Sequence, residues 1–220
     1  MSIELDHILI CAPVGAPAAG RLIEAGFSEG TPNRHPGQGT VNRRFFFDNA
    51  FIEFIWVEDE DEARSDLVAP TQIWERWNWR ETGFSPFEIC LRLDDGDEPP
   101  FETVDYRPPY IPEGSSIPIV TGVQPAEPGI FINSMGVRPA DVSRDARQPL
   151  EHPNGAREIS HVLVGSPEST GMSEPVLSLT RLGFVSLGQS REHLIEISFD
   201  EKRQGQRLDL QPDLPVILHW

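Results

Sequence analysis

Apolar positions in this chain fall in short runs, and the runs change period from strand to helix and back. Ile3 to Ala12 places Leu5, His7 and Leu9 on one side of a strand and Ile8 and Ile10 on the other, so this strand is covered on both faces. Ala18 to Ala25 has apolar residues at 18, 19, 22 and 23, which is helical spacing, and Gly26 is suited to end that helix. Val41 to Phe47 and Phe51 to Val57 read as strands joined by an Asp48-Asn49 hairpin turn. Before them, Asn33 to Thr40 is a loop punctuated by Gly and Pro and too long for a tight turn. These elements make a β-α-β-β-β unit.

Further along, Glu58 to Asp66 is an acidic run, read as a solvated loop or helix start, and Trp74, Trp77 and Trp79 follow on a short helix or lid. Pro86 to Leu93 and Gly129 to Ser134 are strands. The Pro-, Gly- and acid-rich stretch from Asp94 to Pro128 reads as an irregular excursion in a second module that has lost its helix. A third stretch repeats the first: His161-Val-Leu-Val-Gly-Ser-Pro167 echoes His7-Ile-Leu-Ile-Cys-Ala-Pro13. Each phrase leads into a helix-like segment that stops at Gly-Phe, Gly26-Phe27 in one and Gly183-Phe184 in the other. Strands are expected at 158–164, near 184–187, and at 193–199, 206–210 and 214–220, with a helix from about Ser173. Such repetition points to a duplicated module. With no long linker, the reading is one compact unit: module one over about 1–60, a degenerate second over about 84–136, and a C-terminal repeat over about 156–220.

Composition narrows the partners. The 220 residues carry 18 basic and 35 acidic side chains, a formal charge of −17, and Lys202 is the only lysine. That field repels phosphate backbones, so nucleic acid is not an expected partner. No apolar run approaches the ~20 residues a membrane span needs, and the acidic start enters a strand at once. The expected location is therefore cytoplasmic. Cys11 and Cys90 sit in apolar strand-like runs and are read as reduced, buried thiols.

Several motifs, taken in order, resemble the vicinal oxygen chelate superfamily and its glyoxalase-like domain branch. They are Leu5-Asp6-His7, the helix ending at Gly26-Phe27, His35-Pro36-Gly37-x-Gly39-Thr40-x-Asn42-Arg43, Phe51-Ile-Glu53-Phe-Ile, Leu91-Arg92-Leu93-Asp94-Asp95, and His152-Pro153-Asn154-Gly155-Ala156. The resemblance implies an α+β fold of paired βαβββ modules. Their sheets curve into half-barrels around a pocket, here with extra C-terminal strands. It also implies metal ligands on the first and fourth strands of each module, which places His7 and Glu53 at the ligand positions of module one.

A neutral imidazole and a carboxylate suit a divalent ion such as Zn, Fe, Mn or Ni. The second half of a cage is open between two assignments. One uses Glu88 with Asn133 on the closing strand; the other uses His161 and Glu196. Glu196 follows Gly183 by 13 residues, whereas Glu53 follows Gly26 by 27, which places Glu196 on a third strand with the wrong facing for a ligand.

Read for their own chemistry, the candidates fall into three groups. Glu53, in the most apolar strand, is a carboxylate that needs a partner, as ligand or catalytic base. The substrate-binding candidates are His35, Thr40, Asn42 and Arg43 of the glycine loop, with only one of Arg43 and Arg44 facing inward, and Trp77 as cap of an apolar pocket. His7, Glu53 and His161 are the metal candidates, while His152 and His193 are structural. Three functions stay open. One is a metal-assisted lyase, isomerase or dioxygenase acting on a small oxygenated molecule. Another is a metal-free protein that binds or sequesters a small apolar compound. The third is a chain whose own Pro99 to Pro118 segment fills the pocket, leaving mainly a homodimer interface.

Overall fold

A computed structural model describes residues 3–93, 98–167 and 171–220. Asp94 and Asp95, part of one motif above, lie outside the described residues. The first unit runs β1 (Ile3–Cys11), α1 (Ala18–Glu24), β2 (Arg34–His35), β3 (Thr40–Phe46) and β4 (Phe51–Val57). Short helices follow as α2 (Glu60–Ala63), α3 (Ile73–Trp77) and α4 (Trp79–Thr82). The second unit is β5 (Phe87–Leu93), β6 (Thr103–Tyr106), β7 (Ile117–Val120) and β8 (Gly129–Ile132). The C-terminal part contains β9 (Ile159–Ser166), α5 (Glu174–Arg181), β10 (Val185–Gln189), β11 (Leu194–Phe199), β12 (Arg207–Asp209) and β13 (Val216–His219).

The strands form two sheets. The larger, sheet A, has the order β2-β3-β4-β1-β5-β8-β7-β6, and the smaller, sheet B, the order β10-β9-β11-β13-β12. In sheet A each module repeats one plan: its first strand lies parallel to its fourth (β1 with β4, β5 with β8) and the third returns antiparallel. The modules join where β1 runs antiparallel to β5. The paired-module α+β architecture is therefore the one observed, with sheet B supplying the extra C-terminal strands.

Two readings need correction. The stretch taken as an irregular excursion contains the β6–β7 hairpin, with Asp105 opposite Pro118. A proline and alternating charges hide such a short edge hairpin from a propensity reading. In β1, alternation fails between Leu5 and His7, where the register to β5 slips by one residue. This bulge sends Leu5 into the core beside Ile8 and Ile10 and leaves Asp6 and His7 both outside that core.

Both sheets turn one face into a single apolar cluster. Ile8, Ile52, Phe54, Phe87 and Ile89 enter from sheet A, Val162, Val164, Ile195, Ile197 and Leu218 from sheet B, and Leu22 and Leu179 from α1 and α5. Each such side chain, fully buried, stabilises by roughly 1.5–3 kcal/mol relative to exposure. Sheet A's opposite face is covered by α2, α3 and the β6–β7 segment, with Leu9, Cys11, Ile55, Val68 and Ile73 as a smaller cluster. The site lies on that face. Among the described residues no helix is long and apolar enough to cross a membrane.

Candidate functional site

A cavity of about 210 Å³ opens on sheet A across the seam between the two modules. His7 and Leu9 from β1, Glu53 and Ile55 from β4, Glu88 from β5 and Phe131 from β8 form its floor. His7 stacks on Phe51 at 4.3 Å and meets the edge of Phe131 at 5.3 Å, which fixes the plane of its ring. Its Nδ1 lies 2.6 Å from Asp6 Oδ1. A carboxylate can only accept here, so Nδ1 carries a proton and Nε2 is the nitrogen turned to the cavity side.

That nitrogen faces Glu53, whose Oε2 is 3.4 Å from His7 Nε2. The other Glu53 oxygen, Oε1, accepts from Asn42 Nδ2 at 2.6 Å. Each partner therefore has one atom tied from behind and one free toward the cavity. Asp6 is held in turn by Asn133 Nδ2 at 3.2 Å, with Arg92 at 3.5 Å. Burial pushes the Asp6 carboxyl up, but the His7 hydrogen bond and the nearby positive charges hold it below the usual range.

Glu88 completes the floor from the second module. Burial raises its carboxyl to about 7, with the Glu53 charge adding to this and Arg76 opposing it. Arg76 comes from α3 and is 2 % exposed, and its Nε stands 3.4 Å from Glu88 Oε1. Its NH1 donates to the carbonyls of Ser85 at 3.0 Å and Glu127 at 3.1 Å, and its NH2 to Gln72 Oε1 at 3.2 Å. Gly129 leaves the room this pair uses, because a Cβ there would lie 2.7 Å from Glu88 Oε1.

The roof is a strap formed by the segment between β6 and β7. Tyr106 and Tyr110 both donate to Gln38 Oε1, at 3.0 and 2.7 Å, and Gln38 Nε2 donates to Thr40 Oγ1 at 2.9 Å. Thr40 Oγ1 also lies 2.9 Å from His35 Nδ1. Gly37 takes φ +79°, and a Cβ there would meet Pro109 at 2.6 Å, so glycine is what lets the strap close on this loop. Burial pushes the Tyr106 phenol up to about 12 and the His35 imidazole down, keeping both neutral.

The residues singled out from sequence separate clearly. His7, His35, Asn42 and Glu53 line the cavity. Thr40 sits behind it, joining His35 to Gln38. Arg43 points the other way and forms a fork with Glu29 at 2.5 and 2.7 Å, so Arg44 is the inward arginine. Trp77 donates its indole N–H to Ala12 O at 2.8 Å and packs against the apolar clusters rather than lining the cavity. His161 lies on β9 in sheet B, away from His7, with Nε2 2.5 Å from Ser186 Oγ. His152 bridges Ser28 N and Phe46 O as a structural group. Glu196 lies on β11, which opens a fourth module rather than continuing the third. Sequence reasoning missed Arg76, Gln38, Tyr106 and Tyr110; for Gln38 the glycines on either side were a signal of close packing.

Two donor sets can be compared for a metal. Asp6, His7 and Cys90 have donor atoms within 4.8 Å of one another. However, Asp6 and His7 Nδ1 already satisfy each other, and the buried Cys90 thiol, pushed well up by desolvation, donates to Leu91 O at 3.8 Å. His7, Glu53 and Glu88 instead line the cavity. An imidazole oriented by a carboxylate, with two further carboxylates, is in kind a donor set that fits a borderline or hard divalent ion. Phe131 adds no fourth donor.

Comparison with known proteins agrees with this architecture. Residues 5–99 match the family described as glyoxalase-like domain. This first part of the chain is similar to a glyoxalase-like domain. That bears out the resemblance read from its motifs. No curated protein matches the chain. Among solved structures, a hypothetical protein from Staphylococcus aureus shares the fold at TM-score 0.61 and 12% identity, covering 99% of this chain and 98% of its own. A variant of the Streptomyces coelicolor methylmalonyl-CoA epimerase aligns at TM-score 0.40 and 15% identity over 60% of this chain and 96% of its own. A mutant 4-hydroxymandelate synthase, also from Streptomyces coelicolor, aligns at 0.39 and 12%, over 81% and 50%.

Proposed function

We propose that this glyoxalase-like protein binds a small oxygenated molecule in the sheet A cavity and acts on it with a divalent ion held by His7, Glu53 and Glu88. The observation that carries the reading is the pairing of His7 Nε2 with Glu53 Oε2 at 3.4 Å, each tied from behind by Asp6 or Asn42. Two polar groups held in this way on an apolar floor are costly unless something between them uses their free atoms. A bound ion would grip adjacent ligand oxygens and stabilise the negative charge that develops on them. The chain's own part is to aim the donors, to present His35, Asn42 and Arg44 to the ligand, and to exclude water with Ile117, Ile119 and the tyrosine strap. A lyase, an isomerase or a dioxygenase could each be built on this arrangement.

A second reading is favoured by one specific feature. Arg76 already sets a positive charge beside Glu88, and Phe131 fills the fourth corner with a ring. In a metal-free binding or sequestering protein, Glu53 would accept a hydrogen bond from the ligand, and the apolar wall would supply the affinity.

Metal content of the purified protein, compared with Glu53→Gln, separates the two. Stoichiometric divalent metal that disappears in the variant supports the enzyme. Protein that is metal-free, and whose thermal unfolding does not shift with added Zn²⁺, Mn²⁺, Ni²⁺ or Fe²⁺, overturns it. A thermal-shift screen of small oxygenated compounds then finds ligands, and a ligand that protects His7→Ala as well as the wild type removes the cavity from the account.

A further inference from the structure

Arg43 and Arg44 follow one another on β3 and differ in what holds them. Arg43 is forked onto Glu29, whereas Arg44 enters no ion pair among the described residues. Its Nε and NH2 donate to the carbonyl of Thr31, at 3.0 and 2.7 Å, and NH1 has no protein acceptor among those residues. Arg44 is level with Glu53 across the β3–β4 ladder and lines the cavity beside it. Glu53 does not pair with it, because the two Glu53 oxygens are turned to Asn42 and His7. The guanidinium is also fixed in place. It lies over the Phe46 ring at 5.1 Å, Phe46 stacks on Phe51 at 4.8 Å, and Phe51 stacks on His7 at 4.3 Å. One column of rings thus ties the cation to the imidazole. Burial pulls the Arg44 guanidinium below its ordinary value, with the Glu53 charge opposing, so a further negative charge beside it would be favourable.

Strand order gives the direction in which a ligand lies, since neighbouring strands stand about 4.8 Å apart. Arg44 on β3 is one strand beyond Glu53. On the other side of His7, Phe131 on β8 is two strands away and Ile119 on β7 is three. The cavity therefore runs from a cation, past the polar floor, to an apolar wall of Ile117, Ile119 and Phe131. We infer, resting on the reading of this cavity as the site of a small oxygenated molecule, that its ligand is a monocarboxylate with an apolar tail. Arg44 holds the carboxylate, and the tail lies against Ile117, Ile119 and Phe131. Among the described residues Arg44 is the only arginine or lysine lining the cavity, and Glu53 and Glu88 oppose a second carboxylate. A planar guanidinium with an open N–H edge suits a carboxylate, and a neutral analogue leaves its charge unpaired, which is the basis of discrimination. Sheet B lacks this feature. It repeats the ladder, with β9 between parallel β10 and antiparallel β11, followed by parallel β13 and antiparallel β12. However, β10 is its edge, so no strand stands where β3 carries Arg44.

The test is calorimetric titration of the full, untagged chain, as purified and after chelator treatment, with paired probes. These are α- and β-hydroxy monocarboxylic acids with phenyl or branched alkyl tails, each set against its own primary amide. The proteins are the wild type, Arg44→Met, Arg44→Lys and Arg43→Gln, and circular dichroism with thermal unfolding establishes that each is folded. The wild type is expected to bind at least one acid about tenfold or more tightly than its amide. Arg44→Met should remove that preference through loss of acid affinity alone, Arg44→Lys should keep part of it, and Arg43→Gln should keep all of it. Equal affinity for acid and amide in the wild type, a preference that persists in Arg44→Met, or a panel from which no acid binds overturns the inference. Amides that bind as tightly as the acids, and no longer bind His7→Ala, refute it while leaving the proposed function standing. A preference that Arg44→Met abolishes in chelator-treated protein upholds it even where the metal reading has failed.

Discussion

Sheets A and B start from one ladder and differ in what covers them. Over sheet A lie the strap with Tyr106 and Tyr110 and the helices carrying Arg76, so Glu53, Glu88 and His7 are all buried. Sheet B has no such roof among the described residues at His161, Glu196 and His219, which stay half-exposed. The lesson is that the cover, more than the ladder, decides the chemistry of a polar floor. The same kinds of side chain are costly to bury under a roof and cheap to leave in water.

The contrast can be broken most directly at Arg76. Arg76→Leu strands Glu88 as a buried carboxylate, and urea unfolding at pH 8 should show a loss of about 3–5 kcal/mol. A loss below about 1 kcal/mol would mean water already reaches Glu88.

The next effect concerns pH. With the Glu88 carboxyl at about 7 in the fold and near 4.5 unfolded, the native chain binds a proton that the unfolded chain releases in that window. Stability therefore falls as pH rises from about 4.5 to about 7, and this group's share is on the order of 2–3 kcal/mol. In chelator, the stability difference between wild type and Glu88→Gln should shrink or reverse across the window. A flat difference would contradict the assignment.

A smaller effect sharpens the role of the roof. Tyr110→Phe removes one of two phenols donating to Gln38, and should cost about 0.5–1.5 kcal/mol in thermal unfolding. It should also accelerate amide exchange in the 106–117 segment. Unchanged exchange there would show that the strap is held by its apolar contacts alone.

The smallest effect belongs to sheet B. Glu196→Gln removes an open-faced partner of His219, and the stability change should be within about 1 kcal/mol. A cost like that of Arg76→Leu would show that the sheet B face is covered after all.

Much of sheet A could be read from residues. The β-branched runs, the Gly-Phe stops and the spacing from His7 to Glu53 are local signals, and the fold preserved them. What escaped was set by distant contacts. Arg76, between tryptophans on a short helix, looks like a solvated residue until α3 is laid over Glu88. The β6–β7 hairpin was hidden by Pro118 and by the acidic residues around it. Glu196 was placed on the wrong strand because the third module lacks the two outer strands that separate Gly26 from Glu53. Counting residues from a glycine assumes an intact module, and strand pairing shows that it is not.

The slipped register in β1 has one last consequence. Because the extra residue lets neighbours 6 and 7 escape the core together, the carboxylate that aims the imidazole is its own predecessor in the chain. The aim of His7 is thus written in a backbone count, so shortening β1 by a single residue ahead of it would rotate the whole pair out of register. No scan of substitutions would find that dependence; a one-residue deletion would.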